Sequence, residues 1–348
     1  MALLEGMEAE DIFNQLSFRI FSKMESNWLL GLNEKKLWIP QLLQELVAEN
    51  PMPMQSGRGK ACILSIDGGG MRGIIAARAL AYLEEALKRK SGNPDAAIAD
   101  YFDVAAGTGS GGILTTMLFA SDGAEAKRPL FSAEDAWKLL AESAEKMFRP
   151  SGIISKLLGK APSCSTKSLE RVLKTWFVKG DGKCLSLKDT IKPVLIPCYD
   201  LATAAPFLFS RADALETDNY DFNLWEVCRA TAATPGFFRP MSMTSVDGNT
   251  PCTALDGGLV MNNPAVAAIT HVLHNKQEFP SVDGVEDLLV LSLGTGQFDR
   301  SNARVRKSMK PVMDIVLDGR FRHCRSCHRH GFRRPQPAKL CPRAGKSS

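Results

Sequence analysis

Residues 61–73 read ACILSIDGGGMRG, and residues 101–112 read YFDVAAGTGSGG. Each begins with an apolar run too short for a helix and ends in clustered glycines. Helical spacing follows both: Ala76, Leu80, Leu83 and Leu87 after the first, and an apolar stretch over residues 113–120 after the second. A strand covered on both faces reads as an unbroken apolar run, so the repeated unit is buried strand, glycine turn, helix. Working outward, residues 194–199, 207–210 and 288–293 read as further strands. Between them Trp137, Leu140, Ala144 and Met147 share one helical face, and Leu169, Val172, Leu173 and Trp176 another. Strands separated by helices at this interval predict an α/β fold with a mostly parallel central sheet covered by helices on both faces. Ligand chemistry in such sheets gathers at the carboxyl ends of the strands, where the glycine turns lie.

The composition fits that class. The chain has 348 residues, 45% hydrophobic and 23% charged, enough for one large core. No apolar run reaches about 18 residues, so no transmembrane span is expected. Glu5, Glu8, Glu10 and Asp11 occupy the region where a signal peptide needs a basic start, so the expected location is cytoplasmic. The net charge of +5 belongs to the tail. From Arg320 on there are seven Arg, two Lys and no acid, which leaves −4 for residues 1–319 and no bias toward nucleic acid. Cys62, Cys164, Cys184, Cys198, Cys228 and Cys252 sit in or beside apolar segments without a repeating interval, and are expected as buried free thiols.

Three segments carry chemistry. Asp67-Gly68-Gly69-Gly70-Met71-Arg72-Gly73 satisfies G-x-G-x-x-G between a strand and a helix. Such exposed amides can cradle a pyrophosphate or hold the oxyanion of an acyl-transfer intermediate. A dinucleotide site wants an acidic residue at the end of the second strand, but that strand ends in Gly107 and a second glycine turn, which favours acyl transfer. The second turn, Gly107-Thr108-Gly109-Ser110-Gly111-Gly112, has the small residues of a nucleophile elbow but glycine at its apex. The third segment, Asp256-Gly257-Gly258, supplies a candidate carboxylate base before a helix expected to begin near Asn262.

Together with Phe102-Asp103-Val104, Ala233-Thr234-Pro235-Gly236-Phe237-Phe238, Asn262-Asn263-Pro264 and Ser292-Leu293-Gly294-Thr295-Gly296, these segments resemble the patatin-like lipid acyl hydrolases, from about Ala61 to about Val316. Lys36-Leu37-Trp38-Ile39-Pro40 further resembles the plant subgroup in which glycine replaces the elbow serine. The resemblance implies a three-layer fold and a serine–aspartate pair without histidine. Asp256 is then the general base, Gly68, Gly69 and Gly70 form the oxyanion loop with Arg72 as the adjacent cation, and Gly109 stands at the nucleophile position. It also implies acyl esters of membrane phospholipids and galactolipids as substrates, met by peripheral association with the membrane.

A glycine cannot be acylated through a side chain, so three routes stay open. Ser110 or Thr108 can substitute, Asp256 can activate water directly, or the chain binds lipid without turnover. His271 and His274, three apart on the helix after Asp256, read as surface or core residues and complete no triad. The carboxylates near the motifs are single, so neither a metal nor a cofactor is expected. Nothing in the sequence specifies an oligomeric state.

Outside the central unit, Phe13, Leu16, Ile20 and Met24 mark one face of an amphipathic helix, expected to pack on the body, and residues 50–60 read as a linker. The organisation is therefore a helical extension and linker over residues 1–58, the acyl hydrolase domain over 59–316 and a basic tail over 317–348. The tail contains Cys324-Arg325-Ser326-Cys327-His328, with His323, His330 and Cys341 near it. That spelling suits haem attachment or zinc, but a lack of any period and the charge density favour a solvated, disordered end.

Overall fold

The computed structural model describes residues 60–122, 128–149 and 164–296. The amphipathic helix and linker expected near the start, the basic tail and both expected domain boundaries lie outside these residues.

Four strands form a parallel block: β1 (Ala61–Ile66), β2 (Val104–Gly107), β3 (Val194–Asp200) and β7 (Leu288–Leu293). Three antiparallel strands extend it: β4 (Ala205–Ser210), β5 (Met241–Thr244) and β6 (Pro251–Asp256). The path runs β5-β6-β3-β2-β1-β7, with β4 paired to β3 as well. Four of seven strands thus follow the expected parallel order, and β1, central in that block, is buried at nearly every position.

The side-chain period of two divides the core. Leu64 and Ile66 of β1 face one large cluster, which also holds residues of α1 (Gly73–Ser91), α3 (Ser110–Phe119), α4 (Ala133–Met147), α5 (Thr166–Trp176) and α7 (Leu224–Thr231). The short α2 (Ile98–Tyr101) joins that side, with Ile98 and Ala99. Ala61 and Ile63 face the opposite cluster, where Ala268, Ile269 and Val272 of α8 (Ala265–His274) cover the sheet. The remaining helix among the described residues, α6 (Arg211–Glu216), follows β4. Every residue of α3 from Gly111 to Phe119 is buried, which is why its sequence is apolar all round rather than striped. It begins three residues earlier than the apolar stretch suggested, because the elbow glycines already belong to its first turn.

One topological detail positions the chemistry. Backbone groups of alternate residues point to the same edge of a strand. Ala105 N donates to Pro193 O, and Leu201 N donates to Thr253 O, so odd-numbered residues of this strand bind both β2 and β6. The two strands therefore occupy successive lengths of one edge of β3 and meet end to end, β2 finishing at Gly107 and β6 at Asp256. Pro197 lies at that junction, where no ladder demands an N–H from it. Its carbonyl instead accepts the Thr231 hydroxyl at 2.8 Å.

The six described cysteines are free. Cys164, Cys198, Cys228 and Cys252 are buried as expected, but Cys184 is exposed, since it lies in a surface bridge with Val178 rather than in the sheet.

Candidate active site

Parallel register sets the three motifs at one level. Ile66 pairs with Gly107 on one side and Leu293 on the other. Two residues further on, Gly68 and Gly109 stand side by side above the strand ends. Cys198 of β3 pairs with Asp256, which brings the carboxylate to the same height from the antiparallel direction.

Gly109 has φ 54° and ψ −122°, a backbone that side-chain-bearing residues adopt only under strain and that glycine adopts freely. The turn is tied on both sides. Gly109 N donates to Thr231 Oγ1 at 3.0 Å, and Ile113 N donates to the Gly109 carbonyl at 3.1 Å. A Cβ at position 109 would meet nothing nearer than 3.8 Å, the distance to Asp256 Oδ1, to the Gly68 Cα and to the Thr231 carbonyl. The turn thus keeps the shape of an elbow and aims its apex at the carboxylate.

The flanking hydroxyls point elsewhere. Thr108 Oγ1 donates to the Met261 carbonyl at 2.6 Å. Ser110 Oγ is buried against the start of α1, where a Cβ on Gly73 would lie 2.5 Å from it, and it has no hydrogen-bond partner. Neither hydroxyl shows the contact with Asp256 that a substitute nucleophile needs.

Asp256 is 8% exposed. Its Oδ2 accepts the Thr234 hydroxyl at 2.5 Å and its Oδ1 accepts Gly258 N at 2.8 Å. Burial pushes its pKa above the usual carboxylate value, and the bonds from Thr234 and Gly258 only partly oppose that rise. The result is a carboxylate with more proton affinity than a solvated one, with lone-pair capacity left on Oδ1 facing Gly109.

The glycine loop differs from expectation at one position. Gly68 N donates to the Asn262 carbonyl at 3.1 Å, so it is already engaged and cannot serve an oxyanion. Gly69 N and Gly70 N have no acceptor among the described residues. Gly69 must be glycine because the Thr295 side chain lies against it: a Cβ there would stand 2.2 Å from Thr295 Oγ1, whose hydroxyl donates to the Gly68 carbonyl at 2.9 Å. Arg72 Nη1 donates to the Gly296 carbonyl at 2.9 Å and so braces the loop against the turn after β7.

Reading residue types missed the supports. Thr231 bridges β3 and the elbow, Thr234 holds the carboxylate, and Asn262 and Thr295 clamp the glycine loop. Thr234, Asn262 and Thr295 lay within segments that carried the resemblance but were given no role there, and Thr231 had no signal beyond the hydroxyl residues at both ends of Thr231-Ala232-Ala233-Thr234. His271 stands 3.5 Å from Glu278 and against Phe279, away from these groups. No cluster of three or more His, Cys, Asp or Glu suited to a metal occurs among the described residues.

Replacing Thr234 by valine is expected to shift the acid limb of any esterase pH profile to higher pH, since it removes a bond that favours the ionised Asp256. A pH–rate profile checks this, and an unmoved limb would detach Thr234 from the titrating group.

Comparison with known proteins gives a consistent result. The profile of the patatin-like phospholipase family matches residues 64–269. Patatin-like proteins 7 and 6 of Arabidopsis thaliana are each 56% identical, over 93% and 88% of this chain respectively. The chain spans 68% and 66% of their lengths. Probable inactive patatin-like protein 9 of the same plant is 48% identical over 88% of this chain and 74% of its own.

Proposed function

The chain belongs to the patatin-like phospholipase family, and from that premise we propose that it is a slow lipid acyl hydrolase in which Asp256 directs water, rather than a serine, onto the ester. The observation that carries this reading is that Asp256 Oδ1 faces the elbow apex, 3.8 Å from the position of a Gly109 Cβ, where no nucleophilic side chain stands between the base and an incoming ester. Asp256 Oδ1 takes a proton from a water molecule as its oxygen attacks the ester carbonyl carbon. The N–H groups of Gly69 and Gly70 receive the charge that develops on the carbonyl oxygen. Collapse breaks the bond to the alcohol, which takes the proton back from Asp256. No acyl-enzyme forms, which removes the advantage of splitting the reaction into two easier steps and accounts for a low rate.

The substrates we infer are acyl esters of phospholipids and galactolipids, met by a protein with no helix, among the described residues, long and apolar enough to cross a membrane. A second reading, a lipid-binding protein without turnover, is favoured by Gly109 itself and by a 48%-identical relative named probable inactive.

The test is fatty-acid release from each lipid class in mixed micelles with a chelator present. Since the carboxylates at the site are single, release should continue undiminished without Ca²⁺ or Zn²⁺. Release that stops with chelator and returns with metal would overturn the mechanism, and no release from any ester would leave the second reading.

A further inference from the structure

The outward side of α5 is a stripe of cations. Lys167, Arg171 and Lys174 follow one another at steps of four and three, all exposed, and the stripe continues to exposed Val178 beyond the helix end. With Glu170 and Thr175 they line an open groove of about 590 Å³. Glu170, the one acid within the stripe, is drawn inward: its Oε1 lies 3.4 Å from Nε of Arg229, which is fully buried. That buried guanidinium takes up part of the carboxylate's charge, so Glu170 offsets the three cations only in part.

The other cations are little compensated. Lys167 and Arg171 form no ion pair among the described residues. Lys174 Nζ sits 4.1 Å above the Trp225 ring and feels the half-buried Glu226, whose carboxylate is bonded to Asn223. Two further exposed arginines frame the start of the helix. Arg149 O accepts Ser165 N at 2.7 Å, and Arg239 N donates to Thr166 Oγ1 at 3.2 Å.

Beside this start stands Phe237, 44% exposed, whose carbonyl accepts Cys164 N at 3.0 Å. Phe237 N donates to the carbonyl of Thr234, the residue whose hydroxyl holds Asp256. The backbone of this exposed aromatic residue is therefore tied both to the segment that leads into the cationic helix and to Thr234 of the candidate active site. A lipid surface offers phosphates to cations and an acyl boundary to an aromatic ring, and it is the occupant that satisfies both.

We propose that the outward side of α5, with Arg149, Arg239 and Phe237 at its start, docks the protein on an anionic lipid surface, the cations against phosphate headgroups and Phe237 at the acyl boundary. The choice of lipid as occupant rests on the lipid hydrolase reading, but docking requires no turnover. The start of the helix, with Lys167, adjoins Phe237, and Arg171 and Lys174 carry the cationic side on to the helix end.

The experiment measures partition of the full chain onto vesicles of phosphatidylcholine, with and without phosphatidylglycerol, for wild type and for K167Q/R171Q/K174Q. The basic residues from Arg320 on are the same in both proteins, so the difference between them is the readout. Removing three cations should lower partition onto the anionic vesicles by about tenfold or more, leave partition onto neutral vesicles unchanged and flatten its salt dependence. All three residues are exposed, so the variant is expected to fold, and turnover of a short soluble ester should match wild type. Unchanged partition onto anionic vesicles, or an equal loss on neutral ones, overturns the proposal. If no ester is turned over by either protein and the partition difference persists, the docking surface stands and the hydrolase reading falls.

Discussion

Replacing Asp256 by asparagine should lower ester hydrolysis by about a hundredfold or more while leaving the protein at least as stable at neutral pH. The first half follows from the position of Oδ1, a titratable oxygen that faces the elbow apex. The second follows from the direction of its pKa. Burial raises the folded pKa above the unfolded value even after the bonds from Thr234 and Gly258 are counted. A carboxyl shifted this way carries no penalty below its unfolded pKa. The penalty grows as the pH rises from the unfolded pKa to the raised folded one and is complete above it. At neutral pH an amide of the same shape relieves that cost and keeps an acceptor for Gly258 N. Rate loss without stability loss separates a base from a structural group, and thermal unfolding alongside the assay reads both. A variant with an unchanged rate would remove Asp256 from the chemistry.

Gly109→Ser should raise hydrolysis by about tenfold or more, since it returns a nucleophile to a turn that still points at a base. Space does not oppose it, because a Cβ would enter ordinary contact distances only. Backbone strain does: at φ 54° and ψ −122° a serine costs about 1–3 kcal/mol. A domain with a stability of about 5–15 kcal/mol tolerates that. The gain should vanish in G109S/D256N, because an unassisted hydroxyl is a weak nucleophile at neutral pH. A folded G109S protein with no gain would mean that the turn is not an elbow, and the lipid-binding reading would then be preferred.

The parts legible in the sequence were those written in local pattern. The runs ACILSI and VAAG are strands because their apolar residues are continuous, and the glycines after them are needed where backbones approach or turn sharply. Asp256 was visible as a lone carboxylate before two glycines. What was not legible depends on strands far apart in the chain. That β2 and β6 share one edge of β3, and so meet end to end, has no local signature in either strand. For the same reason the loss of Gly68 as a donor was hidden, since its N–H is taken by the carbonyl of Asn262, nearly two hundred residues away. The role of Thr231 was hidden too, because a threonine at the end of a helix more often caps or packs than supports a site, and Thr234 stood in a quoted segment without its hold on Asp256 being visible. The identity of residue 109 was plain, yet only its dihedral angles show that the turn kept its shape without the side chain.

The most direct test of the central claim is the intact mass of wild type and G109S after exposure to a serine-directed phosphonate, with the ester rate measured on the same samples. Water attack at a retained elbow predicts that wild type stays unmodified and keeps its rate, while G109S gains one phosphonyl group at residue 109 and is silenced. A phosphonyl group on wild type at Ser110, accompanied by loss of its rate, would contradict the account.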